Sequence, residues 1–200
     1  GGLFRGSKPV LWSIVERTAL AEAEVEYMEH RSPMIWVRFP VVAASDPLLD
    51  GAAIVIWTTT PWTIPGNRGI ACHKDFDYVV VEVTEAGADC RAAVGEKLVV
   101  AAALLEAVTQ KAGIAAYREI GHLAGTAVEG TRCAHPWRGQ GYEFDVPVLL
   151  ADYVTDDAGT GFVHIAPGHG AEDFVAGAAY GLEVPRTVAE DGTFYPEVPL

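Results

Sequence analysis

Two stretches of this chain carry side chains whose types and spacing could do chemistry together. The first is Trp57-Thr58-Thr59-Thr60-Pro61-Trp62-Thr63-Ile64-Pro65-Gly66-Asn67. Three consecutive threonines at a strand end alternate their side chains, so at least one hydroxyl faces each side. Pro61 and Pro65 then remove backbone freedom and backbone donors. The result is a fixed row of neutral hydroxyls. Such groups are weak bases at neutral pH, but they can hold a water or a carbonyl oxygen in a chosen place. Threonine also has high β propensity, and from the triplet alone that plainer reading stays open.

The second stretch is Gly159-Thr160-Gly161-Phe162-Val163-His164-Ile165-Ala166-Pro167-Gly168-His169-Gly170-Ala171-Glu172-Asp173-Phe174. Its Pro-Gly-His-Gly turn folds the chain back, so the imidazole of His164 and the carboxylate of Asp173 can face one cavity. Each has a plainer reading when taken alone. Acids at helix starts are commonly caps, and a histidine after an apolar run is commonly a satisfied core residue. His164, His169, Glu172 and Asp173, or Cys133 with His135, are also legitimate metal-ligand types. Their spacing matches no metal motif, so no metal is expected and a metal-dependent hydrolase stands only as an alternative. A non-catalytic binding module is a second alternative, which the hydroxyl cluster disfavours.

The elements that must position these groups are mostly strands. The apolar run Ala52 to Ile56 leads into five β-branched or aromatic residues in a row, Ile54 to Thr58, which read as a buried strand ended by the two prolines. Ile35 to Val42 reads as another, with turns at Ser45-Asp46-Pro47 and Asp50-Gly51. Gly69 to His73 and Tyr78 to Val83 read as two strands joined by the polar turn of residues 74 to 77. The charged-apolar alternation of Glu22 to Tyr27 suits a strand with one wet face. Glu96 to Gln110 reads as one long helix, because Leu98, Ala102, Leu105 and Val108 fall on one face and Gly113 follows as a stop. Tyr117 to Ala134, with glycines at 121, 125 and 130, reads as short strands and turns. Val146 to Val154 is a strand broken by Pro147, Phe162 to Ala166 a buried strand, and Glu172 to Tyr180 a short helix. Gly1 to Val10 and the tail from Gly181 show no period. The expected fold is therefore mainly β with peripheral helices (α+β), around a β-barrel-like core.

Two hundred residues, 50% hydrophobic and 20% charged, suit one packed domain. No apolar run approaches the roughly 20 residues of a membrane span, so a cytoplasmic protein without a membrane partner is expected. Cys72, Cys90 and Cys133 form no Cys-x-x-Cys pair and read as free thiols. The formal net charge of −13 argues against any broad phosphate-binding surface.

The two site stretches together resemble the editing domain of isoleucyl-tRNA synthetases, the insertion called connective peptide 1 (CP1). A third block resembles the lead-in to that insertion: Lys8-Pro9-Val10-Leu11-Trp12-Ser13, with Arg17-Thr18-Ala19-Leu20-Ala21-Glu22-Ala23-Glu24-Val25-Glu26-Tyr27. The likeness runs nearly end to end and implies one editing domain over residues 1–200, a piece of a larger class I synthetase. It implies the barrel-like fold shared by valyl, isoleucyl and leucyl editing domains. The valyl and leucyl relatives typically carry an arginine after the paired threonines, where this chain has Thr60.

The function implied is hydrolysis of the ester of mischarged valyl-tRNA(Ile), with isoleucine excluded by pocket size. Asp173 would hold the substrate's α-ammonium, and His164 would shape the side-chain slot. Thr59 and Thr60 would place the carbonyl and the water, with Thr58 and Thr63 beside them. Asn67 would order the loop or contact the adenosine, and Trp62 would wall the pocket or stack on the base. Gly168 and Gly170 would permit unusual backbone angles and close approach of the adenosine, with His169 and Glu172 in support. The implied partners are the acceptor end of tRNA(Ile) carrying valine and the remainder of the synthetase. Editing needs no cofactor. ATP and Mg belong to the synthetic domain, whose His-Ile-Gly-His-like and Lys-Met-Ser-Lys-Ser-like segments are absent from these residues, so no ATP-dependent aminoacylation is expected of them. Because only the single-stranded acceptor end would be handled here, weak tRNA affinity is expected.

Overall fold

The computed structural model of the chain describes residues 2, 3, 6 and 8–200. Of the aperiodic opening stretch, positions 1, 4, 5 and 7 therefore lie outside the described residues. A small antiparallel hairpin of β1 (Trp12–Ser13) and β2 (Thr18–Ala19) precedes the main sheet. The sheet itself is built from β3 (Ile35–Ala43), β4 (Ala52–Thr58), β5 (Gly69–Cys72), β6 (Asp77–Ala86) and β7 (Lys97–Ala101). It continues through β8 (Ile114–Ala124), β9 (Arg132–Ala134), β10 (Asp145–Leu150) and β11 (Val163–Ile165). The α-helices are short: α1 (Leu105–Lys111), α2 (Gly125–Val128) and α3 (Ala171–Ala179).

β4 sits centrally because both of its faces are apolar: every residue except Trp57 is buried. Such a strand needs a partner on each edge. β3 pairs with it antiparallel, Trp36 opposite Trp57 and Phe39 opposite Ile54, and β7 pairs parallel on the other side. The nine strands run in the order β11-β5-β10-β9-β3-β4-β7-β6-β8. The sheet is mixed, with parallel pairs β4–β7 and β5–β10. It curls until β11 lies beside β4, and the Ala101 N–H donates to Thr160 O at 2.8 Å. This is the barrel-like closure expected, and it brings the threonine end of β4 against β11.

Several elements differ from the sequence reading. Glu96 to Gln110 is not one helix. Leu98 to Ala101 are all buried in β7, a 3-10 turn covers Ala102–Leu104, and only then does α1 begin. The period-3.6 face is real, but a run of consecutive apolar residues between two strands satisfies a central strand equally well, and Val99 and Val100 favour it. The expected stop holds, with Gly113 at φ +71°. Glu22 to Tyr27 is not a strand. A 3-10 turn at Glu22–Glu24 is followed by residues 25–27, which join no strand among the described residues; Ala23 and Tyr27 are exposed and Val25 only half-buried, so the alternation has no sheet face to pack against.

Residues 117 to 124 continue within the single long β8, and Gly121 does not break it. A Cβ there would meet Leu48 Cδ1 at 3.0 Å, so the glycine serves close approach. β5 and β6 both exist but do not pair with each other. β10 ends at Leu150, and Pro147 lies inside it, where the strand changes partner from β9 to β5. At that handover a missing N–H costs little.

Candidate functional site

β4 delivers Thr58 to the closure point, and a 3-10 turn at Pro61–Gly66 carries Thr63 back beneath it. The threonines bond among themselves. Thr58 Oγ1 accepts from the Thr60 N–H at 3.0 Å and lies 3.2 Å from Thr60 Oγ1, while Thr63 Oγ1 donates to Thr60 O at 2.8 Å. From β11, His164 Nε2 reaches Thr63 Oγ1 at 3.0 Å, and His164 Nδ1 lies 3.5 Å from Asn67 Nδ2.

Donor counting fixes the tautomer. Asn67 Nδ2 donates to Gly69 O at 2.9 Å, so the amide presents N–H groups and His164 Nδ1 must accept. Nε2 then carries the proton and donates to Thr63, whose own proton goes to Thr60 O. Burial, helped by His169 and His135 nearby, pushes the His164 pKa down to about 4, so the ring is neutral at pH 7. With both nitrogens engaged, the imidazole has no lone pair left for general-base work and acts as a buried wall.

One cavity of about 360 Å³ collects these groups. Trp57, Thr58, Thr59 and Thr60 form one side, Gly161 to His164 another, and Tyr153, Thr155, Ala158 and Asp173 the third. Asp173 projects from the first turn of α3 and is not that helix's cap. Its Oδ2 accepts from the Ala166 N–H at 2.9 Å, and the Tyr153 hydroxyl lies 3.5 Å from Oδ1. Burial raises its pKa, opposed by those two donors.

Two glycines let β11 and its approach come this close. Gly159 has φ +78° and lies where a Cβ would be 1.8 Å from Trp57 Nε1. Gly161 has φ +76° and lies where a Cβ would be 2.2 Å from Ala101 Cβ.

The structure thus brings Thr58, Thr59, Thr60, His164 and Asp173 to one cavity, with Thr63 and Asn67 buried directly behind. Other candidates lie elsewhere. Trp62 is 46% exposed and does not line the cavity, and Trp57 is the indole that does. Gly168 and Gly170 do not adopt left-handed angles, since Gly170 has φ −159° and neither is among the positive-φ glycines. Gly168 instead admits the tail, a Cβ there meeting Pro185 O at 3.2 Å. His169 Nε2 lies 2.7 Å from Thr187 Oγ1, and its ring packs against Gly66. Glu172 is exposed. His135 is buried under the threonine turn, its Nε2 donating to Ile64 O at 3.1 Å and its ring stacked on Tyr142.

Among the described residues, no group of three or more His, Cys, Asp or Glu side chains is placed to hold a metal ion. Cys133 is a buried thiol pushed up to about 12, and the three cysteines are free. No helix of the described residues is long and apolar enough to cross a membrane. Tyr153 and Thr155 line the cavity without any motif to announce them. Their only signal is a tyrosine and a threonine set among aspartates at 152, 156 and 157, at the end of the stretch Val146 to Val154 that reads as strand.

A family model described as the editing domain of leucyl-tRNA synthetase matches residues 73–197. Isoleucine–tRNA ligases of Gluconobacter oxydans and Caulobacter vibrioides are 50% and 51% identical over 201 and 207 residues, covering 100% of this chain. The chain spans only 21% of the length of each. Among solved structures, a leucyl-tRNA synthetase CP1 domain, GlLeuRS-CP1, is similar at a TM-score of 0.57 and 15% identity, covering 84% of this chain and 70% of that one. The editing domain of the P. knowlesi cytosolic leucyl-tRNA synthetase is similar at 0.54 and 12%, covering 70% of this chain and 60% of that one. At these identities the structural likeness speaks to the fold alone.

Proposed function

The chain belongs to the aminoacyl-tRNA synthetase editing-domain family, and from that premise we propose that it hydrolyses the ester of valyl-tRNA(Ile). The observation that carries this reading is one cavity holding a partly dried carboxylate, Asp173, opposite a row of neutral hydroxyls. A carboxylate there suits the α-ammonium of an aminoacyl ester. The hydroxyls of Thr59 and Thr60 suit its carbonyl and an attacking water, with Thr58 and Thr63 holding Thr60 in register. The ammonium already activates the ester, so placing water is enough and no strong nucleophile is required.

His164 supports selection by size. It is a neutral wall fixed at both nitrogens, and with Val163 and Phe162 it bounds a slot that cannot widen cheaply. A site that accepts only the smaller side chain is needed because one methylene is worth only about 1–3 kcal/mol in a hydrophobic pocket, a general limit for which isoleucyl-tRNA synthetases are themselves the standing illustration. Asn67, Gly168 and His169 act behind the cavity: Asn67 sets the imidazole tautomer, and His169 braces the turn. Hydrolysis uses no cofactor. Charging of tRNA with ATP belongs to the remainder of a larger cytoplasmic enzyme.

The test is deacylation of valyl-tRNA(Ile) beside isoleucyl-tRNA(Ile), at high enzyme concentration and low salt. Selective loss of valine is expected, with Asp173→Ala slowing it roughly 100-fold. Equal hydrolysis of both esters would overturn the size selection, and no effect of Asp173→Ala would overturn the site.

A further inference from the structure

Tyr153 stands just after β10, where the chain leaves the sheet, and its side chain is shared by two cavities. On one side is the candidate site. On the other is an apolar cavity of about 400 Å³ floored by Leu150, Ala151, Ala176 and Ala179. Tyr153 lines both, and its hydroxyl lies 3.5 Å from Asp173 Oδ1.

The two carboxylate oxygens of Asp173 are held differently. Oδ2 takes the Ala166 N–H at 2.9 Å, a backbone donor fixed by the end of β11. Oδ1 has the Tyr153 hydroxyl at 3.5 Å and no other protein donor among the described residues. A carboxylate oxygen can accept two hydrogen bonds, so Oδ1 keeps capacity for a ligand.

We propose that Tyr153 is the positioning residue for Asp173. Its hydroxyl, 3.5 Å from Oδ1, and the Ala166 N–H hold the carboxylate at both oxygens, so that Oδ1 meets an ammonium group already oriented. This rests on the reading of the site as an aminoacyl-ester hydrolase. The donor is available throughout the working pH range, because burial and the neighbouring Asp173 and Glu172 charges hold the phenol protonated. Of the other titratable groups, Glu172 stands beside Asp173 on α3, and His164 from β11 lines the same cavity in its neutral form.

The test uses Tyr153→Phe, which keeps the ring and removes only the hydroxyl. Two measurements read it. Titration of the Asp173 carboxyl by carbon-13 NMR, without substrate, should show its midpoint raised by about one pH unit, a tenfold gain in proton affinity. Deacylation of valyl-tRNA(Ile) should show KM raised about five- to tenfold with kcat within about twofold, since the group acts on binding geometry rather than on the reacting atoms. An unmoved Asp173 midpoint in a folded variant overturns the proposal. So does a fall in kcat at unchanged KM. Wild-type protein that hydrolyses no aminoacyl ester overturns the functional reading instead, and the substrate-free titration still decides whether Tyr153 holds Asp173.

Discussion

His164 Nε2 and Thr63 Oγ1 lie 3.0 Å apart, and this contact ties the strand that carries the imidazole to the turn that carries the threonines. Thr63 is 7% exposed, as is His164, so neither group has ready access to water as a substitute partner. Thr63→Val should leave the His164 N–H unsatisfied and cost about 1–3 kcal/mol. Urea denaturation reads this directly. A loss below roughly 0.5 kcal/mol would mean that the contact contributes little to the fold.

Gly159 makes a different kind of demand. With φ +78° and a Cβ position 1.8 Å from the Trp57 indole nitrogen, Gly159→Ala strains the backbone and drives the ring from its place. A loss of about 2 kcal/mol or more is expected, together with a changed tryptophan emission. A variant of wild-type stability and spectrum would show that this loop approaches β4 more loosely than these distances require.

The threonine turn and the block around His164 are legible in the sequence because each is local. Prolines end a strand and glycines reverse the chain wherever they stand. What the turn bonds to is not legible. Tyr153 meets Asp173 only because α3 folds back over β11, 20 residues along the chain. Trp57 rather than Trp62 faces the cavity because β4 alternates its side chains and the 3-10 turn throws Trp62 outward. β7 reads as helix for a related reason. A strand buried on both faces loses the two-residue alternation by which a strand is recognised, and Leu98 to Ala101 acquire their neighbours from β4 and β6, far off in sequence. Gly159 and Gly161 stand out as glycines, but their purpose lies in Trp57 and Ala101.

Stability should fall in mild acid. Burial pushes His135 and His164 each down to about 4, below the ordinary value of 6.5, so the unfolded chain binds their protons first. Their contribution is complete above pH 6.5 and is lost progressively as pH falls toward 4. His169 is lowered as well and acts in the same direction. His122, raised by Asp77 and Glu119, acts oppositely, but it is exposed and screened. The raised Asp173 also acts oppositely, in the carboxylate range. Unfolding free energy measured at about pH 7.5 and about pH 5 should differ by on the order of 3 kcal/mol. Stability that is flat or rising toward the acid end would contradict a neutral, buried pair.

Binding of tRNA should be weak and only modestly sensitive to salt. With 14 Lys and Arg against 27 Asp and Glu, the chain cannot neutralise many phosphates, and counterion release scales with the number it does. Recognition confined to an ammonium at Asp173, a carbonyl at the threonines and one terminal nucleoside needs few phosphate contacts. Fluorescence anisotropy with an acceptor-stem RNA should give a Kd weaker than about 10⁻⁵ M at physiological salt, and a log–log salt slope of magnitude below about 2. Tight binding with a steep slope would require a basic surface that the composition does not supply, and would place the grip on the tRNA body in this chain rather than in the remainder of the enzyme.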